Sequence, residues 1–219
     1  MTTRAPRPRG RPPAAQSPAP LEEILGAALR AFATHGYEGV SVRTLNRELG
    51  VSHSLINGRF GSKEALWYAT VDWAFEPLVT KLASAFDPTL TDPLDQLRIA
   101  IRTFLLYSAE HPELLGLMDI EARQDTDRLT YLHDTYIQPA LAPIERLLHH
   151  LADQGRIRPI SLSAFHFLIA HGGAAPFTLV PLARHFDPAD PLDPDAVAEH
   201  AGFVADLIIR GLKCDEADT

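Results

Sequence analysis

From Leu21 the apolar residues Leu21, Ile24, Leu25, Ala28, Leu29 and Phe32 fall at i, i+3, i+4, i+7, i+8 and i+11, one face of an α-helix. His35-Gly36 predicts its stop, because glycine readily takes the left-handed conformation that follows many helix ends. Ser41 then stands before a short helix over 42–49 and is well placed to cap it. Gly50-Val51-Ser52 predicts a tight turn, and Ser52 is placed to cap another short helix running towards Phe60. Gly61-Ser62 ends that helix, and Ser62 can cap a long one from Lys63 to about Leu82, with a kink expected at Pro77.

Beyond Asp87-Pro88 helical spacing returns. Leu94, Leu97, Ile101, Phe104 and Leu105 mark one helix, and His111-Pro112 starts another, since proline is tolerated in a first turn. Leu129, Leu132, Tyr136, Ala140, Ile144, Leu147, Leu148 and Leu151 predict a long helix ending near Gln154-Gly155, bent or split at Pro139 and Pro143. From Leu162 to about Phe186 the chain is strongly apolar but carries Gly172-Gly173, Pro176 and Pro181, the pattern of a broken helix. A Pro/Asp loop follows, and Val197, Ala201, Val204 and Ile208 mark a last helix with Phe203 and Leu207 on an adjoining face. Neither a repeat nor a strand stands out.

Composition adds two facts to this all-helical picture. The chain of 219 residues is 46% hydrophobic and 22% charged, so it can bury a core. Its net charge of −8 is unevenly spread: residues 1–67 hold nine basic and five acidic groups, net +4, which leaves −12 for the rest. A basic end on an acidic body suits a protein that docks on phosphate with that end only. Residues 1–20, with four Arg, six Pro and no acid, read as a disordered arm. The domains expected are this arm, a head over 21–67, a body over 68–213 and a polar tail over 214–219. No run approaches the roughly 20 apolar residues that span a bilayer, so no membrane partner is expected. The N-terminus lacks the apolar stretch of a secretory signal, and a lone Cys214 cannot form an internal disulfide. A cytoplasmic protein is expected.

Within the head, 44–54 supplies a short helix, a glycine turn and the start of a second helix, the pattern of a helix-turn-helix. Leu45, Leu49, Val51, Ile56 and Phe60 face inward, which leaves His53, Ser54, Asn57, Gly58 and Arg59 outward on the second helix. Such side chains are small or donate hydrogen bonds, as base edges and phosphates require. The longer stretch AALRAFATHGYEGVSVRTLNRELGVSHSLINGRFGSKEALW, Ala27 to Trp67, resembles the N-terminal domain of the tetracycline-repressor (TetR) family. Phe32, Gly36, Tyr37, Ser41, Val42, Leu45, Gly50, Val51, Ser52, Ile56, Phe60, Ser62, Lys63, Glu64 and Leu66 carry the resemblance in register.

The resemblance implies a double-stranded DNA operator as partner, contacted by Ser41, Arg43, Ser52, His53, Ser54, Asn57, Arg59 and Lys63. Ser41 and Lys63 are the phosphate candidates, each near a helix N-terminus. The chain departs from the family at Asn57 and Gly58, where a Tyr and a His or Tyr usually grip the backbone. A glycine there costs the helix about 1 kcal/mol relative to alanine. In the arm, Pro8-Arg9-Gly10-Arg11-Pro12 resembles an AT-hook, whose Arg9 and Arg11 would lie in a narrow minor groove.

The fold class implied is all-α, with an N-terminal three-helix helix-turn-helix domain followed by a larger helical ligand-binding and dimerisation domain. By the same resemblance the middle helices line a pocket, with Phe104, Tyr107, Leu117, Met118, Tyr131, His133, Tyr136 and Phe165 as candidates for a mostly apolar small-molecule effector. The last two long helices should pair with a second copy, and the two apolar faces of the final helix ask for two partners. Ten histidines raise a metal, but His166 and His171 stand five apart rather than four, so no metal or other cofactor is expected. No nucleophile elbow or phosphate-binding glycine loop argues for an enzyme. The function expected is a ligand-responsive repressor; the alternative is a helical small-molecule-binding protein with weakened or lost specific DNA binding.

Overall fold

The computed structural model describes residues 20–52, 54–85 and 92–214. The arm with Arg9 and Arg11, and likewise His53, the Asp87-Pro88 boundary and most of the C-terminal tail, lie outside the described residues. Among the described residues the chain is helical throughout, with one isolated β-bridge between Ile157 and Lys213. No helix there is long and apolar enough to cross a membrane.

Helix α1 (Leu21–Gly39) buries Ile24, Leu25, Ala28, Leu29 and Phe32 of the stripe that its spacing predicts, whereas Leu21, at the helix start, is exposed. It breaks at Gly36, whose φ of 67° and ψ of 172° lie in a region that only glycine occupies at little cost. Two short helices follow, α2 (Val42–Glu48) and α3 (Leu55–Phe60), then the long α4 (Lys63–Ser84). Helix α4 passes through Pro77 as one helix and ends two residues beyond the expected Leu82.

The body adds α5 (Pro93–Glu110), α6 (Pro112–Glu121), α7 (Asp127–Leu132), α8 (Gln138–Asp153), α9 (Leu162–Phe167), α10 (Ala175–Thr178), α11 (Val180–Phe186) and α12 (Pro194–Leu212). Oxygen side chains cap α4, α5, α7 and α12: Ser62 accepts from the N–H of Ala65, Asp92 from Leu94, Thr126 from Leu129 and Asp193 from both Asp195 and Ala196. Prolines 93, 112 and 194 open α5, α6 and α12, where a missing N–H costs nothing.

The expected long helix over 129–151 is α7 and α8 joined through a π turn at His133–Ile137, and α9 runs into a second π turn at Leu168–Gly173. Each π turn lies just ahead of a proline, Pro139 and Pro176. A proline ring inside a helix clashes with the carbonyl four residues back, here Thr135 and Gly172, and both of these sit in the widened turns. At Pro139 the helix widens without breaking, and α8 runs on through Pro143; the segment from Leu162 to Phe186 is broken as expected, at Ala174 before Pro176 and at Leu179 before Pro181.

One continuous core runs from Ile24 in the head to Ile209 in α12. Helix α1 packs on both α4 and α6, so the head rests directly on the body, and α12 packs along α5. The Arg98 guanidinium joins those last two by donating to Asp206 at 2.9 Å.

Candidate DNA-binding face and ligand cavity

Leu45 and Ile56 are buried and hold α2 against α3, with Leu49, Val51, Leu55 and Phe60 packed around them. Gly50 makes the turn at a φ of 64°. Between the two helices lies Asn46, fully buried, whose side-chain oxygen accepts the N–H of Ile56 at 3.4 Å while its backbone carbonyl takes the N–H of Val51. Two expected caps are absent here. Ser41 occupies the N-cap position of α2 but makes no side-chain cap, and α3 starts after Ser54 rather than being capped by Ser52. Asn46, reaching across from α2, satisfies an amide at the start of α3 instead.

Ser41, Arg43, Ser52, Ser54, Asn57, Gly58 and Arg59 are exposed on this side of the head. A Cβ built on Gly58 would meet nothing within 4 Å, so no contact inside the chain demands glycine there. Lys63 is placed differently from the others. Its ammonium donates to the carbonyls of Tyr37 at 2.9 Å and Val40 at 3.3 Å, and it stands 4.2 Å above the Tyr37 ring. It secures the end of α1 rather than reaching outward, because its position at the start of α4 faces the carbonyls that follow the break at Gly36.

The other cation on Tyr37 comes from the body. The Arg128 guanidinium lies 3.9 Å from the Tyr37 ring centre and donates to Glu121 at 3.1 Å. Glu121 is 4% exposed, so this ion pair is nearly dry. Tyr37 thus ties α1 to both α4 and α7, and burial raises its phenol above the usual value.

A narrow cavity of about 70 Å³ lies between α4, α5, α6, α8 and α9. Five sequence candidates line it: Phe104, Tyr107, Met118, Tyr136 and Phe165. Phe75 and Leu78 of α4 join them, with Ile144 of α8. Three candidates do not. Leu117 is buried on the other side of α6, His133 is exposed against Asp134, and Tyr131 turns its hydroxyl to Asp72.

Asp72 escaped the sequence analysis. Its Oδ1 accepts the hydroxyls of Tyr131 and Tyr136, each at 2.6 Å. Residues five apart fall about 140° apart on an α-helix. The intervening π turn, bonded i to i+5, brings the two phenols onto the same side. Burial first, then the Asp72 carboxylate, raises both phenols, Tyr131 to about 12 and Tyr136 further.

The second π turn does the same for His166 and His171, whose ring centres are 6.4 Å apart. His166 lines the cavity, and burial followed by its neighbour His171 lowers its proton affinity. His171 lies 3.4 Å from a buried oxygen of Asp119 that has no hydrogen-bond partner, and burial raises that carboxyl. Among the described residues no group of His, Cys, Asp or Glu is arranged to hold a metal ion.

A helix-turn-helix with a buried core and a polar outward face, joined by one long helix to a helical body that holds a cavity, defines a two-part helix-turn-helix protein. Residues 24–69 match the bacterial regulatory proteins of the tetR family, and residues 93–208 match the tetracyclin repressor-like C-terminal domain. The chain belongs to the tetR family. The HTH-type transcriptional repressor AcnR of Corynebacterium efficiens is 50% identical to it over 48 residues, 22% of this chain and 26% of AcnR. The chain thus aligns with about a quarter of the length of that relative. A tetR-family regulatory protein from Rhodococcus RHA1 shares the fold at a TM-score of 0.64 and 18% identity, over 88% of this chain and 96% of that one. A putative fatty acid metabolism regulator from Clostridium perfringens does so at 0.66 and 22%, over 88% and 99%.

Proposed function

We propose that the chain is a dimeric repressor that holds operator DNA through the α2–α3 head and releases it when a mostly apolar small molecule fills the cavity. The observation that carries this reading is the continuity of α4, whose first residue Lys63 secures the head while Phe75, Leu78 and Leu82 line the cavity. Ser54, Asn57 and Arg59 would meet base edges, with Ser41, Arg43, Ser52 and His53 around them. Lys63 would support this face from behind, and Arg9 and Arg11 would follow the neighbouring minor groove. The AcnR resemblance covers 48 residues and favours repression.

Dimerisation finds support in apolar surface left uncovered on the last helices. Phe186 is 84% exposed, Phe203 64% and Leu207 59%, and Leu179 and Leu182 extend the patch. Residues of this kind rarely stay in water together on a monomer. A two-fold pairing through α9–α12 would cover them and set two α3 helices to meet half-sites about one DNA turn apart.

The test is fluorescence anisotropy of the purified protein with the DNA upstream of its own gene, across a salt series. Binding that needs a palindrome, with a shallower salt slope once residues 1–20 are removed, is the expected result. Sequence-independent binding to every operator tried would reject it and favour a small-molecule-binding protein that no longer reads DNA.

A further inference from the structure

We propose that Tyr136 is the positioning residue through which an occupant of the cavity acts on α4, by working against the bond from Tyr136 to Asp72, while Tyr131 holds the same carboxylate from outside the cavity. This rests on the effector reading of the cavity given above. The two tyrosines are matched in their bond to Asp72 and differ in their surroundings. Each donates its hydroxyl to Asp72 Oδ1 at 2.6 Å, the short distance of a bond to a charged acceptor. Only Tyr136 also lines the cavity.

The geometry leaves an occupant little choice. Pockets that take drug-sized molecules measure about 300–1,000 Å³. The present cavity, at about 70 Å³, must widen to admit one. Its wall at this point is the Tyr136 ring facing Phe75, with ring centres 5.6 Å apart. Phe75 sits one turn after Asp72 on α4, so Tyr136 grips a single patch of that helix by ring and hydroxyl together. Parting the two rings either drags Asp72 and α4 along or breaks the hydroxyl bond. Asp72 lies nine residues from Lys63, about 14 Å along the helix. Motion there reaches the ammonium that closes the end of α1.

No other polar group on the wall hydrogen-bonds to α4 in this way. Ser108 spends its hydroxyl on the carbonyl of Phe104 in its own helix, His166 belongs to the far side, on α9, and Tyr107 meets α4 only through the Lys81 ammonium, 5.2 Å from its ring and nine residues beyond Asp72. Tyr131 keeps its ring against Tyr68 at 4.7 Å and Trp67 at 6.5 Å, away from the space an occupant would fill.

The matched pair supplies the experiment. N-phenyl-1-naphthylamine, a neutral apolar fluorophore, serves as the cavity probe, and DNA affinity is measured by anisotropy with and without saturating probe. Wild-type protein should lose at least fivefold in DNA affinity on binding the probe, within the usual range of coupling between sites. Tyr136→Phe should keep less than twofold of this loss and bind the probe more tightly, since no bond then resists it. Tyr131→Phe should retain the wild-type coupling, although it removes the same kind of bond from the same oxygen. A purely structural role for the cluster predicts that the two variants behave alike, and equal coupling in both overturns the proposal.

Asp72→Asn, which keeps the shape of the acceptor but not its charge, stands in if Tyr136→Phe does not fold. It should reduce the coupling, and an unchanged value overturns the proposal. A probe that fills the wild-type cavity, as judged by its fluorescence, without altering DNA affinity rejects the effector reading itself, and the proposal falls with it.

Discussion

Gly36 is the position where a single added methyl group should be felt most in the head. Its φ of 67° and ψ of 172° suit glycine alone, and an alanine held there costs about 1–3 kcal/mol in backbone strain. The new Cβ would also stand 3.1 Å from Cγ2 of Ile120 on α6, close enough that one of the two must give way. Small overpacking of this kind adds about 1 kcal/mol, so Gly36→Ala should cost about 2–4 kcal/mol in all. That is a large share of the roughly 5–15 kcal/mol by which domains are stable. Urea denaturation followed by circular dichroism measures it as a lower midpoint at an unchanged slope. A loss below about 0.5 kcal/mol would refute the reasoning. Repeating the substitution on Ile120→Ala separates the two causes: the steric share, about 1 kcal/mol, should vanish and the backbone share remain. If the whole penalty vanished, the conformation of Gly36 would be incidental. Because Gly36 aims Tyr37 between Lys63 and Arg128, DNA affinity should fall with stability.

Arg128→Ala should destabilise by about 3 kcal/mol, because Glu121 is left buried and unpaired, and adding Glu121→Gln should restore much of the loss in the same denaturation assay. Gly58→Ala, with open space around its Cβ, should raise stability by about 0.5–1 kcal/mol. If Gly58 serves close approach to DNA, the same variant should weaken operator binding in anisotropy. At high pH the folded phenols of Tyr131 and Tyr136 are raised above the unfolded value near 10. Their contribution to stability is therefore complete below pH 10; that of Tyr131 is lost as pH rises through about 12 and that of Tyr136 only above it, and absorbance at 295 nm should show both still protonated at pH 11. Asp92 behaves in the opposite sense: the N–H of Leu94 first, then Arg156, hold its carboxyl low, so its contribution is present above the ordinary value of 3.8 and fades below it. Acid denaturation of Asp92→Ala should be less steep there than that of the wild type.

The head was legible because its signals are local. Apolar spacing in α1, a glycine at each turn and Ser62 at a helix start each act within a few residues, and the structure places them as the spacing demands. What escaped needed contact between distant segments. Ser41 has the extended backbone of an N-cap yet its side chain makes no cap, Ser52 lies ahead of a helix that starts only after Ser54, and Asn46 supplies an acceptor at the start of α3. Its inward position was nevertheless visible, four residues after Val42 and three before Leu49. Asp72 shows the same signature, an acid four residues after Tyr68 and three before Phe75, on a helix face that is otherwise apolar. A polar residue in register with an apolar stripe marks a partner arriving from elsewhere, because burying it alone is costly.

The π turns account for the remaining differences, and they bear on function. Spacing arguments for Tyr131 with Tyr136, and for His166 with His171, assume 3.6 residues per turn, under which residues five apart diverge. Pro139 was read as a place where the helix bends or splits, and it lies instead just beyond a widened turn in an unbroken run; at Pro176 the expected break is present, at Ala174, and a widened turn precedes it. Both widened turns bring residues five apart into line. The first aligned pair meets a carboxylate on α4 and the second stands where the cavity meets α9. A widened turn also carries longer hydrogen-bonded loops than an α-helix and is found often at functional sites. The two prolines thus place adjustable segments on the wall of the cavity, where a molecule entering must push, and leave the head-bearing half of α4 regular from Lys63 to Asp72. Such a division, compliant at the cavity and stiff towards the DNA, is what transmission of a displacement between the two requires.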